Sequence, residues 1–133
     1  MDLSIVVHDA EKAVRVSTVV DFDRAINKAR DEARTLGRLN LISIQTSNGN
    51  DLALVVGGKE TVLAFEYGHH NPPYYVSRGD QARTQPVMTC YVGLAHHTEF
   101  RRQHVIPYEK GLRAAREFAE SETLPKSIEW IET

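Results

Sequence analysis

Histidine and glutamate are the residue types that most readily bind metals or move protons near neutral pH. The chain has six histidines, and four of them form two adjacent pairs, His69-His70 and His96-His97, with Glu99 close behind the second. A small metal-dependent enzyme would draw on His69, His70, His96, His97 and Glu99. Their spacing argues against it. A helical zinc site uses histidines four apart with a carboxylate between them. Neighbouring residues on an extended chain point to opposite faces, so neither pair forms a clamp. His96 and Glu99 converge only if the chain folds back, and a closed site needs three or four convergent ligands. Histidines solvated on loops explain the pairs more simply, so no metal and no cofactor is expected.

Other reaction chemistry is weaker still. No serine sits in a G-x-S-x-G elbow. Gly57-Gly58-Lys59 lacks the spacing of a phosphate-binding loop and suits a hairpin turn better. No carboxylate pair stands out for acid–base work. The single cysteine, Cys90, lies in the apolar run Val87-Met88-Thr89-Cys90-Tyr91-Val92. It reads as a small buried hydrophobe, and no disulfide within the chain is possible. The chain is therefore expected not to be an enzyme.

Tyr74, Tyr75, Arg78, Asp80 and Arg83 suggest recognition instead. Tyrosine and arginine are enriched among the residues that dominate protein interfaces, and here they follow the pair Pro72-Pro73 on a long irregular stretch from Gly68 to Pro86. The same residues also suit a flap in which Tyr74 and Tyr75 cover a sheet, and the two readings stand level. Trp130, the only tryptophan, reads as a core anchor because of the area it buries.

The elements that must position these residues follow from periodicity. Leu3 to Val7 and Val14 to Val16 read as strands separated by a turn near Asp9 to Lys12. Phe22, Ile26, Ala29, Ala33 and Leu36 recur at helical spacing, with Asp21 as N-cap, Asp23 in the first turn and Gly37 as the stop. Strands follow over Leu39 to Thr46, Leu52 to Val56 and Thr61 to Tyr67, joined at Asn48-Gly49-Asn50 and Gly57-Gly58. Tyr74 to Val76 suits a brief strand and Val87 to Leu94 another. Ala95 to His104 reads as a second irregular stretch. Pro107 suits the first turn of a second helix, with Tyr108, Leu112, Ala115 and Phe118 or Ala119 on its apolar face. Gly111 within it costs about 1 kcal/mol relative to alanine, which implies close packing there. Ser127 to Ile131 reads as a last strand, with Ile128 and Trp130 on one face.

Short turns between neighbouring strands require antiparallel pairing. The fold class is thus α+β, a mainly antiparallel sheet with two helices packed on one face. The 133 residues form one domain, 1–133, large enough for a continuous core. At 41% hydrophobic and 26% charged the composition is that of a globular protein rather than a disordered one.

Charge narrows the partners. A formal net charge of −2 lacks the basic footprint of a general nucleic-acid binder. Glu117, Glu120, Glu122, Glu129 and Glu132 face only Lys126 at the C-terminal end; most such runs are ordinary solvated surface, which is the favoured reading, and the other is an acidic region that steers a basic protein partner. The N-terminus lacks a secretory pattern and no apolar run spans a bilayer. A cytoplasmic location with no membrane partner is the expectation. A small-molecule-binding module with the sheet face as its pocket is the remaining alternative.

One arrangement goes further. A Ser-Arg-Gly-Asp turn over Ser77 to Asp80 precedes a strand ending Tyr91-Val-Gly93. Then come Thr98-Glu99-Phe100, Val105-Ile106-Pro107 opening a helix, Ala115-x-x-Phe118 within it, and Pro125 shortly before Glu129-Trp130. This order resembles the Imm1 family of bacterial immunity proteins, specifically from Ser77 to Trp130 and loosely before it. The resemblance implies a protein of a polymorphic toxin system that binds and neutralises a cognate toxin, often of the nucleic-acid deaminase type. It implies no catalytic residues. It makes Pro107, Phe118 and Trp130 structural, gives Gly79 to the turn, and leaves Glu99 either structural or in contact with the toxin. The histidine pairs are outside its pattern. The candidate contact residues are Tyr74, Tyr75, Arg78, Asp80, His96, His97 and Glu99. They lie on the stretches His69 to Arg83 and Ala95 to His104, beside the acidic C-terminal region.

Overall fold

The computed structural model describes residues 2–7, 13–79, 87–92 and 96–133. The expected turn near Asp9 to Lys12, Asp80, Arg83 and the end of the expected strand at Leu94 lie outside the described residues. Strands β1 (Leu3–Val7) and β2 (Val14–Val16) lead into helix α1 (Val19–Thr35). Thr18, not Asp21, caps this helix: its hydroxyl accepts the Asp21 N–H at 3.1 Å. The helix thus begins one turn earlier than expected, because the threonine oxygen satisfies a donor that has no partner within the helix. Asp21 then lies in the first turn. Gly37, at φ +66, ends the helix as expected.

Strands β3 (Asn40–Thr46), β4 (Asp51–Val56), β5 (Glu60–Thr61), β6 (Leu63–Glu66) and β7 (Tyr74–Ser77) follow. The expected strand Thr61 to Tyr67 is broken at Val62. The Val55 N–H reaches both the Thr61 hydroxyl, at 3.1 Å, and the Val62 carbonyl, at 3.3 Å. Two residues facing one let Thr61, Val62 and Leu63 all be buried in succession. Strands β8 (Val87–Val92) and β9 (His96–Arg101), a 3-10 turn (Arg102–His104) and strand β10 (Ile106–Pro107) lead to helix α2 (Tyr108–Ser121) and strand β11 (Trp130–Glu132). The stretch expected to be irregular after Ala95 is therefore mostly strand. Its alternation of exposed His97, Glu99 and Arg101 with half-buried Thr98 and Phe100 is a two-residue period, masked in the sequence by its many charges. Pro107 precedes α2 and pairs with Glu60 rather than starting the helix.

Among the described residues the main sheet runs β11-β7-β6-β4-β3-β1-β2, with antiparallel neighbours throughout. The β8–β9 hairpin joins it through one parallel bridge, Asn40 to Tyr91. Both helices pack on the face presented by Ile42, Ile44, Leu52, Leu54, Leu63 and Phe65. Phe22, Ile26, Ala29 and Ala33 come from α1, and Ala114, Ala115, Phe118 and Ala119 from α2. Each fully buried large side chain contributes about 1.5–3 kcal/mol. The α+β architecture expected from the sequence is the one observed. Gly111 also behaves as expected: a Cβ there would stand 2.3 Å from Thr61 Cγ2 and 2.9 Å from Leu63 Cδ1. The opposite face was not anticipated. Val55 and Val62 meet Met88, Cys90 and Val105 in a second, smaller core, so the β8–β9 hairpin curls over that face.

Candidate functional site

The register separates the two histidine pairs. Residues 67–73 connect β6 to β7 at the end of the sheet where Asp51 pairs with Glu66. His97 pairs with Tyr91, and Tyr91 with Asn40, at the other end. Asn40 is opposite Val56, five residues along β4 from Asp51. The set proposed for a metal enzyme is thus divided between opposite ends, and the described residues contain no group of three metal-binding side chains.

Residues 67–73 form a loop whose polar groups are met within it and by the strands and turn beside it. The His69 ring stacks on Tyr67 at 5.6 Å, and its Nδ1 accepts the Asn71 N–H at 3.0 Å. His70 adopts φ 60 and its Nδ1 lies 3.2 Å from a Glu66 carboxylate oxygen. Tyr74 donates its hydroxyl to the His70 carbonyl at 3.0 Å. The Gly68 N–H donates to Asn50 Oδ1 at 2.9 Å, which ties the loop to the β3–β4 turn. The Pro72-Pro73 bond is cis.

The outer face of the β8–β9 hairpin is different. Cross-strand pairs Tyr91–His97, Thr89–Glu99 and Val87–Arg101 stand side by side on it. His97, Glu99 and Arg101 are exposed, as are Val87 and Thr89. Tyr91 is anchored there by the Arg38 guanidinium, 4.6 Å from its ring centroid. His96 occupies the strand position opposite Val92. The inner face of the hairpin carries Met88, Cys90 and Phe100 into the second core. Burial pushes the Cys90 thiol up to about 11, which marks it as packing rather than chemistry.

The tyrosines divide between both readings of their segment. Tyr75 packs on the main core, with ring centroids 6.4 Å from both Phe65 and Tyr67, and so covers the sheet. Burial, then the Glu132 carboxylate opposite, pushes its phenol above the ordinary value. Tyr74, its neighbour on β7, braces the 67–73 loop instead. Arg78 is exposed, and its backbone N–H donates to the Glu129 carbonyl at 2.9 Å. Gly79 has a stricter role than a turn. Its N–H donates to the Gln103 carbonyl at 2.6 Å, and a Cβ would stand 2.0 Å from the Val105 oxygen. Beside it, Ser77 donates to the His104 carbonyl at 2.6 Å. The root of the hairpin is thus clamped to the end of β7.

Phe118 is buried in the main core, edge-on to Phe65 at 5.9 Å. Trp130 is half-buried against the same core and donates to the Pro125 carbonyl at 2.8 Å. Two of the C-terminal acids are engaged in holding the fold. Glu117 accepts the Lys126 and Ser127 N–H groups at 2.5 and 3.1 Å. Burial alone would raise its carboxyl, but these donors and the Lys126 charge outweigh that and hold it below the ordinary glutamate value. Glu122, left-handed at φ 62, accepts the Ser47 hydroxyl at 2.9 Å and binds the Asn50 amide through its carbonyl at 2.7 Å. The acidic run seen in the sequence is not one acidic surface.

Sequence reasoning missed two features of this region. The half-buried Arg102 pairs with Glu60 at 2.9 Å across 42 residues of chain, and no local pattern signals it. A cleft of about 650 Å³ brings Arg78 beside Lys110, Arg113 and Lys126. Only the three-residue spacing of Lys110 and Arg113, which places them on one helix face, was visible beforehand. No helix among the described residues is long and apolar enough to cross a membrane.

The family model described as immunity protein Imm1 matches residues 10–132 of the chain. No curated protein matches it.

Proposed function

Because the chain belongs to the Imm1 family of immunity proteins, we propose that it neutralises a cognate toxin by binding it, through the end of the sheet where the β8–β9 hairpin sits. The single observation that carries this reading is the family match across almost the whole chain. The outer face of the hairpin supports the placement. His97, Glu99 and Arg101 are exposed there on a strand clamped at its root by Ser77 and Gly79. A rigid display of polar side chains lowers the ordering cost of association. Tyr74, Tyr75, Arg78, Asp80 and His96 complete the set proposed from the sequence. Tyr75 and Tyr74 act indirectly, by bracing β7 and its loop. The toxin is proposed to be of the nucleic-acid deaminase type, met in the cytoplasm of the producing bacterium and inhibited without catalysis.

Co-expression with the toxin domain encoded beside this gene tests the reading. The expected outcome is protection of the cells and recovery of a stable complex. Unprotected cells and no complex by gel filtration would remove it.

A further inference from the structure

The cleft at the N-terminal part of α2 has a charge that the rest of the chain does not predict. The chain carries 18 acidic and 16 basic residues, so a surface patch drawn at random is close to balanced. This cleft is lined by four cations, Arg78, Lys110, Arg113 and Lys126, against one carboxylate, Glu129. All four cationic residues are exposed. Elsewhere in the molecule Arg24, Arg102 and Arg116 pair with Asp21, Glu60 and Asp23. Among the described residues, none of the four cleft cations forms an ion pair.

The walls that carry them are pinned. Arg78 is held to Glu129 and Gly79 to Gln103 through the backbone. Glu117 fixes the backbone of Lys126 and Ser127. Lys110 and Arg113 project from the same side of α2. Lys126 also acts on Glu117, and Glu129 lines the cleft, but four cations gathered around so few carboxylates repel one another, and an incoming anion relieves that repulsion. Arg78 and Arg113 also offer planar forks suited to carboxylates.

Resting on the immunity reading, we infer that this cleft is a docking point for a carboxylate-bearing segment of the toxin. A nucleic-acid strand fits it less well. Backbone tracking needs an extended basic stripe, whereas this patch is short and includes the carboxylate of Glu129. The cleft adjoins the hairpin through the chain itself, since Arg102–His104 leads from β9 to Val105 at the cleft. One partner can therefore engage both.

The test uses the full chain and the toxin domain encoded beside its gene, with Kd measured at about 0.05 M and about 0.5 M salt. Lys110→Glu with Arg113→Glu is compared with Lys28→Glu and Arg34→Glu, which make the same charge change on exposed positions of α1. Lys110→Gln with Arg113→Gln serves if the reversal unfolds the protein. The expected result is a rise in Kd of roughly tenfold or more for the cleft reversal at low salt, mainly through slower association and shrinking at high salt. The α1 variant should stay within about twofold of wild type. Equal effects from both pairs, or a cleft variant that binds like wild type, would overturn the inference and leave the immunity reading intact. Failure of the wild-type chain to bind the toxin would overturn both. A labelled single-stranded DNA bound by wild type and lost in the cleft variant would reassign the cleft to nucleic acid and also overturn it.

Discussion

Residues 67–73 and the β8–β9 hairpin each offer adjacent histidines near a glutamate, and the fold treats them in opposite ways. In the loop, His69 stacks on Tyr67 and accepts the Asn71 N–H, while His70 meets Glu66. Its polar groups are met by the loop, by β6 and by the β3–β4 turn. On the hairpin, the His97 ring leans against Tyr91 at 6.3 Å, but His97 and Glu99 stand exposed on the outer face, with Phe100 turned into the second core beneath them. Exposure alone does not distinguish the two regions, since His69 and His70 are exposed as well. The lesson is that a polar residue already partnered by its own chain maintains structure, whereas one displayed by a rigid frame has bonds left to offer.

The largest expected effect breaks the frame itself. Gly79→Ala places a Cβ against the Val105 carbonyl at 2.0 Å and should destabilise the protein by about 3 kcal/mol, at the upper end for overpacking. Urea unfolding monitored by tryptophan fluorescence measures it. A variant as stable as wild type would mean that the hairpin root is not clamped.

The next effect contrasts the two histidine regions directly. His97→Ala with Glu99→Ala should weaken toxin binding by about 2 kcal/mol, the scale of an interface hot spot, and change stability by less than about 0.5 kcal/mol. His69→Ala with His70→Ala should do the reverse, lowering stability by about 1 kcal/mol, as lost intramolecular hydrogen bonds do, with toxin affinity unchanged. Calorimetric binding and thermal melts on the same samples separate the outcomes. Identical behaviour of the two double variants would erase the distinction.

A smaller effect sharpens the position of the C-terminal acids. Glu117 has its folded-state carboxyl held below the ordinary glutamate value by the Lys126 and Ser127 donors and the Lys126 charge, against the opposing effect of burial. Its stabilisation is therefore fully present above the unfolded value and lost as pH falls through the lower folded one. Glu117→Gln should melt below wild type at neutral pH, and the gap should close in acid. A gap that stays constant with pH would show that the carboxylate charge is not what holds Lys126 and Ser127. The smallest effect concerns Cys90. With the thiol pushed up to about 11 and buried, it should stay unmodified by a thiol reagent at mild alkaline pH until the protein is denatured. Rapid labelling of the native chain would contradict its place in the second core.

Much of the frame was legible because it is local. The stripe Phe22, Ile26, Ala29 and Ala33 predicts α1, and Gly37 ends it at φ +66. Asn48-Gly49-Asn50 predicts the β3–β4 turn, and the glycine at 111 predicts the close approach of Thr61 and Leu63. Thr18 rather than Asp21 is the cap, a choice hidden in the sequence because both are good capping residues and the sequence does not say which one leaves the helix. β9 is hard to read from sequence because charge at alternate positions resembles a loop until its partner strand is known.

The candidate site was less legible, since its parts are distant in the chain. Gly79 was visible as a turn residue, but the Val105 carbonyl that requires its missing Cβ lies 26 residues away (105 − 79). Lys110 and Arg113 were visible as neighbours on a helix, but not as facing Arg78 and Lys126. By itself, the sequence determined the α+β class, the helix faces, the turns and the resemblance to an immunity family. These depend on periodicity, backbone preference and ordered motifs within short spans. Only the tertiary structure decided that the histidine pairs stand at opposite ends of the sheet, that two of the acids hold the fold, and that four cations share one cleft. Those outcomes depend on strand register and on which segments the sheet brings together, and register is set by packing across the whole core.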